Sequence, residues 1–185
     1  MQGTTCERNG LPRGQPMFRI LKKSLKTGIV TGRHEVSSVP APVVAATSAE
    51  KARSFRRSLT IREVDTGSCN GCEMEMNALM NPVYDAERFG IHIAASPRHA
   101  DALVVTGPVT VNMEKALKDA YRATPDPKLV IALGDCACNC GMFKGSYAVT
   151  GPVDRHVPVD VKVPGCPPRP AEILQALLGL MGREG

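Results

Sequence analysis

The chain has 185 residues, of which 43% are apolar, and carries a formal net charge of +5 at pH 7. This length and composition predict one globular domain with a core, plus a tail. The basic excess lies mostly in residues 1–60, and no basic patch is interleaved with aromatic residues, which argues against nucleic-acid binding. We expect no membrane-spanning helix and no signal peptide, because no apolar run has the required length.

Residues 1–58 are interpreted as a partly disordered, flexible extension rather than a domain. Within it, apolar residues recur at helical spacing with lysines between them, which predicts a basic amphipathic segment over residues 17–31. Such a segment suits either a partner protein or an anionic membrane surface, and it equally suits a solvated helix packed on its own domain. Residues 39–49 have the composition of a linker.

Strand and helix patterns alternate over residues 59–183, the predicted domain. The predicted strands are Leu59–Val64, Ile91–Ala95, Ala102–Thr106, Leu129–Leu133 and Val157–Val163. The predicted helices are Glu73–Met80, Met113–Arg122, with Asn112 as its N-cap, and Ala171–Met181, opened by Pro170. This alternation predicts an α/β fold with a doubly wound, mostly parallel, flavodoxin-like sheet.

Three of the predicted strands end just before cysteines. Cys69 and Cys72 follow the first strand, Cys136 follows Leu129–Leu133, and Cys166 follows the last strand. Because ligands bind beyond the carboxyl ends of parallel strands, we expect the three segments to meet at one site.

Four thiolates are typical ligands of an iron–sulfur cluster or of zinc. We favour the cluster, because structural zinc sites usually pair two Cys-x-x-Cys motifs and this chain has one. A redox dithiol at Cys69 and Cys72 would leave the other two cysteines unexplained. Disulfides are a further alternative that we do not favour, because seven cysteines are an odd number and a reducing cytoplasm keeps thiols free.

Cys136, Cys138 and Cys140 alternate in what we expect to be a Gly-rich loop. We prefer Cys136 as the ligand because it directly follows the strand and Gly134. Cys6, in the tail, is expected to be free.

Four motifs carry a resemblance to a known family. They are Cys69-Asn70-Gly71-Cys72-Glu73, Ser96-Pro97-Arg98-His99-Ala100-Asp101, Gly134-Asp135-Cys136-Ala137 and Val163-Pro164-Gly165-Cys166-Pro167-Pro168. In this order they resemble the 20-kDa subunit of respiratory complex I and the small subunit of membrane-bound group 4 [NiFe] hydrogenases, including formate hydrogenlyase. Complex I subunits have adjacent cysteines in the first motif, so the Cys-x-x-Cys spacing favours the hydrogenase branch. The run from Cys138 to Cys140 departs from the family pattern.

The resemblance implies one 4Fe–4S cluster held by Cys69, Cys72, Cys136 and Cys166. It implies an electron-transfer subunit that exchanges electrons with a [NiFe] centre in a separate large subunit. The alternative is the corresponding subunit of a complex I-like NADH/ferredoxin:quinone oxidoreductase, which reduces quinone through the same cluster. The expected partners are a large subunit of the [NiFe] or 49-kDa type, a ferredoxin-like Fe–S subunit and membrane subunits, at the cytoplasmic face of the inner membrane. The chain would then be part of an oxidoreductase and not a complete enzyme.

Four polar residues in the motifs are further candidates. By resemblance, Glu73 is a possible proton relay, although a carboxylate in the first turn of a helix also compensates the helix dipole. Glu75 matches a carboxylate of the complex I relatives and has the same alternative. Arg98 and His99 are candidates for tuning the cluster potential; the alternatives are a surface ion pair and a histidine bound to backbone.

Overall fold

The computed structural model describes residues 22–23, 25–27, 43–44, 51 and 53–183. Its strands are β1 (Val43–Val44), β2 (Leu59–Asp65), β3 (Ile91–Ile93), β4 (Ala102–Thr106), β5 (Val109–Thr110), β6 (Leu129–Leu133), β7 (Val149–Gly151) and β8 (Val161–Val163). Its α-helices are α1 (Gly71–Ala78), α2 (Glu114–Ala123), α3 (Gly134–Asn139) and α4 (Pro170–Leu180). Short 3₁₀ turns span Arg53–Phe55, Ala86–Phe89, Pro97–His99, Gly141–Phe143 and Val153–Arg155.

A six-stranded sheet with the order β1-β8-β6-β4-β2-β3 forms the centre of the domain. Strands β3, β2, β4, β6 and β8 run parallel, and β1 pairs antiparallel with β8 at one edge. Numbered among themselves, the five parallel strands follow the flavodoxin-like order 2-1-3-4-5. The predicted doubly wound, mostly parallel α/β fold is therefore confirmed.

Helices cover both faces of the sheet. On one face α1 and α4 pack against the strands, with Met76, Ile173 and Leu177 fully buried. On the other face α2 and α3 contribute Leu117 and Ala137 to a second apolar cluster. The central strands β4 and β6 are buried at every position, which explains why they read as continuous apolar runs rather than alternating ones.

The predicted and observed boundaries of the strands agree best where the strands are wholly apolar. β4 and β6 have the predicted bounds, whereas the last strand begins only at Val161. Its predicted first part, from Val157, includes Pro158, which has no amide hydrogen to give to a ladder. The predicted N-cap Asn112 is wrong, because α2 begins at Glu114 without a side-chain cap.

The N-terminal part is described at few positions. Lys22, Lys23 and residues 25–27 are helical and exposed, and the remainder of the predicted amphipathic segment lies outside the described residues, as does Cys6. The amphipathic segment and the domain boundary near residue 58 therefore stay predictions. Among the described residues, no helix combines the length and apolar character that a membrane crossing requires.

One buried carboxylate ties the loop before β8 to the central sheet. The Asp160 side chain accepts from the Val130 amide at 2.9 Å and from Lys51 Nζ at 3.1 Å, and the residue is 6% exposed. The carboxylate thus satisfies a backbone donor at the start of β6 that would otherwise be buried and unpaired.

We predict that Asp160→Ala lowers the free energy of unfolding by about 1–3 kcal/mol, because the Val130 amide loses its acceptor. Urea denaturation of the full chain measures this. Asp154→Ala is the control, since it removes only a surface ion pair with Lys162, worth about 0–1 kcal/mol. Equal losses in the two variants would contradict the assigned role of Asp160.

Candidate metal centre

The turn after β2 presents Cys69 and Cys72. Asp65 Oδ1 accepts from the amides of Gly67 and Ser68, both at 2.8 Å, which folds the chain back at the end of the strand. Ser68 Oγ then accepts from the Asn70 amide at 3.0 Å and donates to Glu73 Oε1 at 2.6 Å. These bonds fix the turn from which α1 starts, with Cys72 in its first turn.

The segments after β6 and β8 are joined by two hydrogen bonds between the same two residues. The Asp135 amide donates to the Gly165 carbonyl at 2.8 Å, and the Gly165 amide donates to Asp135 Oδ1 at 2.9 Å. Since β6 and β8 are neighbours, with Leu133 paired to Val163, this bond pair holds Cys136 beside the Cys166 loop.

The turn after β2 contacts both of these segments. A Cβ atom on Gly134 would lie 2.6 Å from Cys72 Sγ, and one on Gly71 would lie 3.5 Å from Cys69 Sγ and 3.8 Å from Cβ of Pro167. Gly134 also has a φ of +86°, a conformation that favours glycine. Each pair of the three cysteine segments is thus in close contact.

All four predicted cysteines line one small pocket, together with glycines from the same loops. Its walls include Gly71, Gly107 and Gly165, so backbone approaches the enclosed space closely. Cys72 and Cys136 are buried, whereas Cys69 and Cys166 are exposed. The pocket therefore has an inner side within the domain and an outer side at its surface.

The protein surroundings of the pocket disfavour free thiolates. Burial, followed by the charges of Glu73 and of the other three cysteines, raises the pKa of Cys72 to about 12. Burial and the charges of Cys166 and Cys69 likewise raise the pKa of Cys136. Both buried thiols are thus affected by the other cysteines that line the same pocket.

Cys138 and Cys140 have different surroundings. The expected Gly-rich loop is wrong, because residues 134–139 form α3. Cys138 packs against the second apolar cluster and its Sγ lies 3.6 Å from the Ala132 carbonyl oxygen. Burial raises its pKa to about 11, and the charges that act on it are those of Lys162, Asp135 and Asp154.

Cys140 is buried and ends α3 in a left-handed conformation. Burial raises its pKa, and the charges that act on it are those of Arg155, Lys144 and Asp154. Neither Cys138 nor Cys140 lines the pocket. Of the three alternating cysteines, the structure brings only Cys136 to the other site cysteines.

The two candidate carboxylates, Glu73 and Glu75, differ in their hydrogen bonds and in their position relative to the pocket. Glu73 lies in the first turn of α1 and binds Ser68 through Oε1, while its Oε2 is buried without a hydrogen-bond partner among the described residues. Glu75 is half-buried and does not line the pocket. The position of Glu73 fits both its candidate roles, since it adjoins Cys72 and also lies at a helix N-terminus.

Arg98 and His99 lie away from the cysteines. Both are exposed and sit in the 3₁₀ turn before β4, at the amino end of the strand whose carboxyl end reaches the pocket. A five-residue strand separates the two edges by roughly 16 Å. The structure therefore does not bring these side chains to the cysteines. Their motif precedes β4 and lies at its amino end, whereas the pocket lies at its carboxyl end.

Several residues that build the site were not predicted from the sequence. Asp65 and Ser68 shape the first turn, and Asp135 connects the other two segments. A signal existed for the first two, because Asp and Ser after a strand favour turns closed by side-chain acceptors. No local signal indicates that Asp135 binds a residue 30 positions away.

The part of the chain that builds the pocket matches a known family. Residues 69–180 match the model of the NADH ubiquinone oxidoreductase 20-kDa subunit family. The chain belongs to this family. The match begins at Cys69 and includes all four pocket cysteines.

The relatives of this family member include subunits of two kinds of complex. It is 52% identical to a probable membrane-bound hydrogenase subunit mbhJ of Pyrococcus furiosus, over 66% of this chain and 73% of the relative. It is 42% identical to formate hydrogenlyase subunit 7 of Escherichia coli, over 82% of this chain and 61% of that relative. The B-subunit of the NADH-quinone oxidoreductase of Geotalea daltonii is 45% identical over 62% of this chain and 66% of the relative. These names confirm the predicted oxidoreductase-subunit family.

Solved structures agree with the fold. A chain of the membrane-bound sulfane sulfur reductase, an archaeal respiratory membrane complex, is 37% identical and superposes with a TM-score of 0.62, over 72% of this chain and 74% of that chain. An NAD+-reducing [NiFe]-hydrogenase chain, 22% identical with a TM-score of 0.53 over 69% of this chain and 94% of that chain, shares the fold.

We predict that Gly134→Ala lowers the stability of the full chain, because the new Cβ meets Cys72 Sγ. Gly145→Ala is a matched control: its φ is +84°, nothing lies within 4 Å of the added atom, and the left-handed conformation alone costs about 1 kcal/mol. We expect Gly134→Ala to lose at least about 1 kcal/mol more, since overpacking adds to strain. Urea denaturation tests this, and equal stability losses in the two variants would contradict it.

Proposed function

We propose that this chain is an electron-transfer subunit that carries one 4Fe–4S cluster on Cys69, Cys72, Cys136 and Cys166. The observation that carries the proposal is the pairwise contact of three cysteine segments around one pocket. When bound, such a cluster supplies reversible one-electron chemistry.

The donor set fits this group. Four cysteine thiolates, here from three segments of the chain, are the usual ligands of a cubane cluster, and the glycine-lined wall would let the backbone approach it closely. Burial and every neighbouring charge that acts on the Cys72 thiol raise its pKa, so no cation of the protein stabilises its thiolate form. The positive charge that stabilises this thiolate would have to come from the bound cluster. In the described part of the chain, no three His, Cys, Asp or Glu side chains are grouped so that they could hold a single metal ion.

The exposure of the ligands supports a role at an interface. Cys69 and Cys166 are exposed, and exposed Met74 and Met142 stand in α1 and in the turn after α3. A large subunit docked on this side would shorten the path for electrons and exclude water from the cluster. Methionine-rich contacts suit such an interface because the side chain adapts its shape.

We favour a partner subunit with a [NiFe] centre over a quinone-reducing partner. The Cys-x-x-Cys spacing and the longer or more identical matches to hydrogenase subunits support this choice. The relatives named as NADH-quinone oxidoreductase subunits support the alternative. In either case we place the chain peripherally, at the cytoplasmic face of the membrane, with a ferredoxin-like subunit and membrane subunits as further partners.

We predict that serine substitution of any one of the four pocket cysteines lowers cluster occupancy about tenfold or more, because a lost ligand costs at least as much as a lost supporting contact. Anaerobic reconstitution, iron and sulfide analysis and EPR of the reduced full chain measure the effect. Wild-type protein should bind about four irons per chain.

Cys138→Ser and Cys140→Ser provide controls, because Cys138 lies with Cys136 in α3 and Cys140 caps the C-terminus of that helix. Both should keep the iron content and the EPR signal of the wild type. Loss of the cluster in either control, or a colourless wild-type protein with one zinc ion per chain, would contradict the proposed ligand set.

The choice of partner has its own experiment. Purification of the complex from its native membranes, followed by sequencing of the large subunit, should find two Cys-x-x-Cys pairs. Hydrogen-dependent reduction of a dye by that complex is the expected activity. A large subunit without those pairs, together with quinone reduction, would establish the alternative.

A further inference from the structure

An exposed group of arginines lies at the amino edge of the sheet, opposite the edge that carries the cysteine pocket. It comprises Arg56 before β2, Arg88 in the turn before β3 and Arg183 after α4, and we call these three residues the arginine corner. The seven-residue strand β2 separates the two edges by roughly 20 Å. The arginine corner is therefore a surface distinct from the pocket.

Contacts with two residues bring the three side chains of the arginine corner together. Arg183 Nη1 donates to the Phe89 carbonyl oxygen at 2.7 Å, and the Arg88 guanidinium carbon lies 4.6 Å from the centroid of the Phe89 ring. A Cβ atom on Gly182, the residue before Arg183, would lie 3.8 Å from Arg56 Nε. Three elements that are distant in sequence thus place their guanidinium groups around one point of the surface.

The arginine corner has no counter-charge in the described part of the chain, where no carboxylate forms an ion pair with it. Glu87 is exposed in the same turn as Arg88 and is not paired with it. On α2, by contrast, Lys115 and Arg122 both pair with Asp119. Like charges held together without a counter-charge repel one another, which is typical of a surface that meets an anionic partner.

The N-terminal part of the chain cannot supply this counter-charge. Its first 50 residues contain three acidic residues, Glu7, Glu35 and Glu50, among seven lysines and arginines. This segment therefore has the same sign of charge as the arginine corner, and the counter-charge has to come from another molecule.

We propose that the arginine corner is a contact surface for the anionic headgroups of a phospholipid membrane. Guanidinium groups are charged at every physiological pH and donate paired hydrogen bonds to phosphate oxygens. An anionic lipid surface presents such oxygens at high density, and it attracts each lysine or arginine held close to it. The inference deepens the proposed function, on which it rests, because that function places the chain peripherally at a membrane.

The composition of the arginine corner favours a lipid surface over an acidic protein. The centre of a protein interface is usually apolar and rich in exposed aromatic anchors. The aromatic residue here, Phe89, is half-buried, packs against the core cluster and lies beneath the Arg88 guanidinium. Contact of this edge with a membrane would also leave the pocket, at the opposite edge, open to a partner subunit.

Flotation of the full chain with lipid vesicles tests the contact. We expect binding to vesicles of phosphatidylcholine and phosphatidylglycerol in equal parts, and none to vesicles of phosphatidylcholine alone. The binding should weaken as the salt concentration rises, because salt screens exposed charges. Joint replacement by Arg56→Gln, Arg88→Gln and Arg183→Gln should weaken the binding about tenfold or more, because three charges near the lipid surface are lost.

Two further variants separate a lipid contact from other effects of these substitutions. Lys115→Gln, Arg122→Gln and Lys144→Gln together remove the same charge from exposed positions elsewhere and should weaken binding by about twofold or less, because distant charges are screened. Lysine at all three positions of the arginine corner keeps the charge and should keep most of the binding. Urea denaturation verifies that each variant is folded.

Three results would overturn the inference. They are a wild-type chain that does not bind the anionic vesicles, equal binding by the wild type and the glutamine variant of the arginine corner, and loss of binding in the folded lysine variant. Equal binding would assign the lipid contact to the N-terminal segment instead.

Iron analysis of the same reconstituted samples separates this inference from the proposed function. A chain that binds the vesicles through the arginine corner but holds no iron would refute the cluster and leave the lipid contact standing. A chain that holds about four irons but ignores the anionic vesicles would refute the lipid contact alone.

Discussion

Two hydrogen bonds between Asp135 and Gly165 are the constraint on which the site depends. They join the ends of β6 and β8, so the backbone that carries Cys136 and the backbone that carries Cys166 cannot move apart independently. The sheet register fixes where these strands end, and the bond pair fixes the segments beyond them. A site whose ligands are held this way is organised before any metal binds, which lowers the entropic cost of binding.

The charges around the pocket are a second property of the site, and they oppose a free thiolate at Cys72. Burial and the neighbouring charges that act on Cys72 all oppose a thiolate, whereas Cys140 has Arg155 and Lys144 nearby. Cations therefore act on a cysteine outside the pocket and not on the buried Cys72 inside it. The proposed cluster would therefore have to supply the charge compensation, and its binding would release protons and become more favourable as the pH rises.

The sequence analysis found the fold and the four cysteines because both depend on strong local patterns. β4 and β6 are apolar throughout, and cysteines follow three strands. It missed α3, which is short and contains Cys and Asn, both weak helix formers. The structure places Arg98 and His99 at the amino end of β4, a position that the candidate role in the sequence analysis did not consider. The Asp135–Gly165 bonds arise from tertiary structure alone.

Two acidic residues, Asp160 and Glu63, interrupt the apolar pattern of the sheet region. They differ in whether their carboxylate oxygens have hydrogen-bond partners among the described residues. Asp160 binds the Val130 amide and Lys51, so its charge is paired and its role is to hold the loop before β8. Among the described residues, Glu63 Oε1 is buried without a hydrogen-bond partner, and burial followed by the charges of Glu73 and Asp65 raises the pKa of Glu63 to about 7. Local rules are broken without compensation mainly where function requires it. Asp160 is therefore a compensated break in the apolar pattern, and Glu63 is an uncompensated one among the described residues.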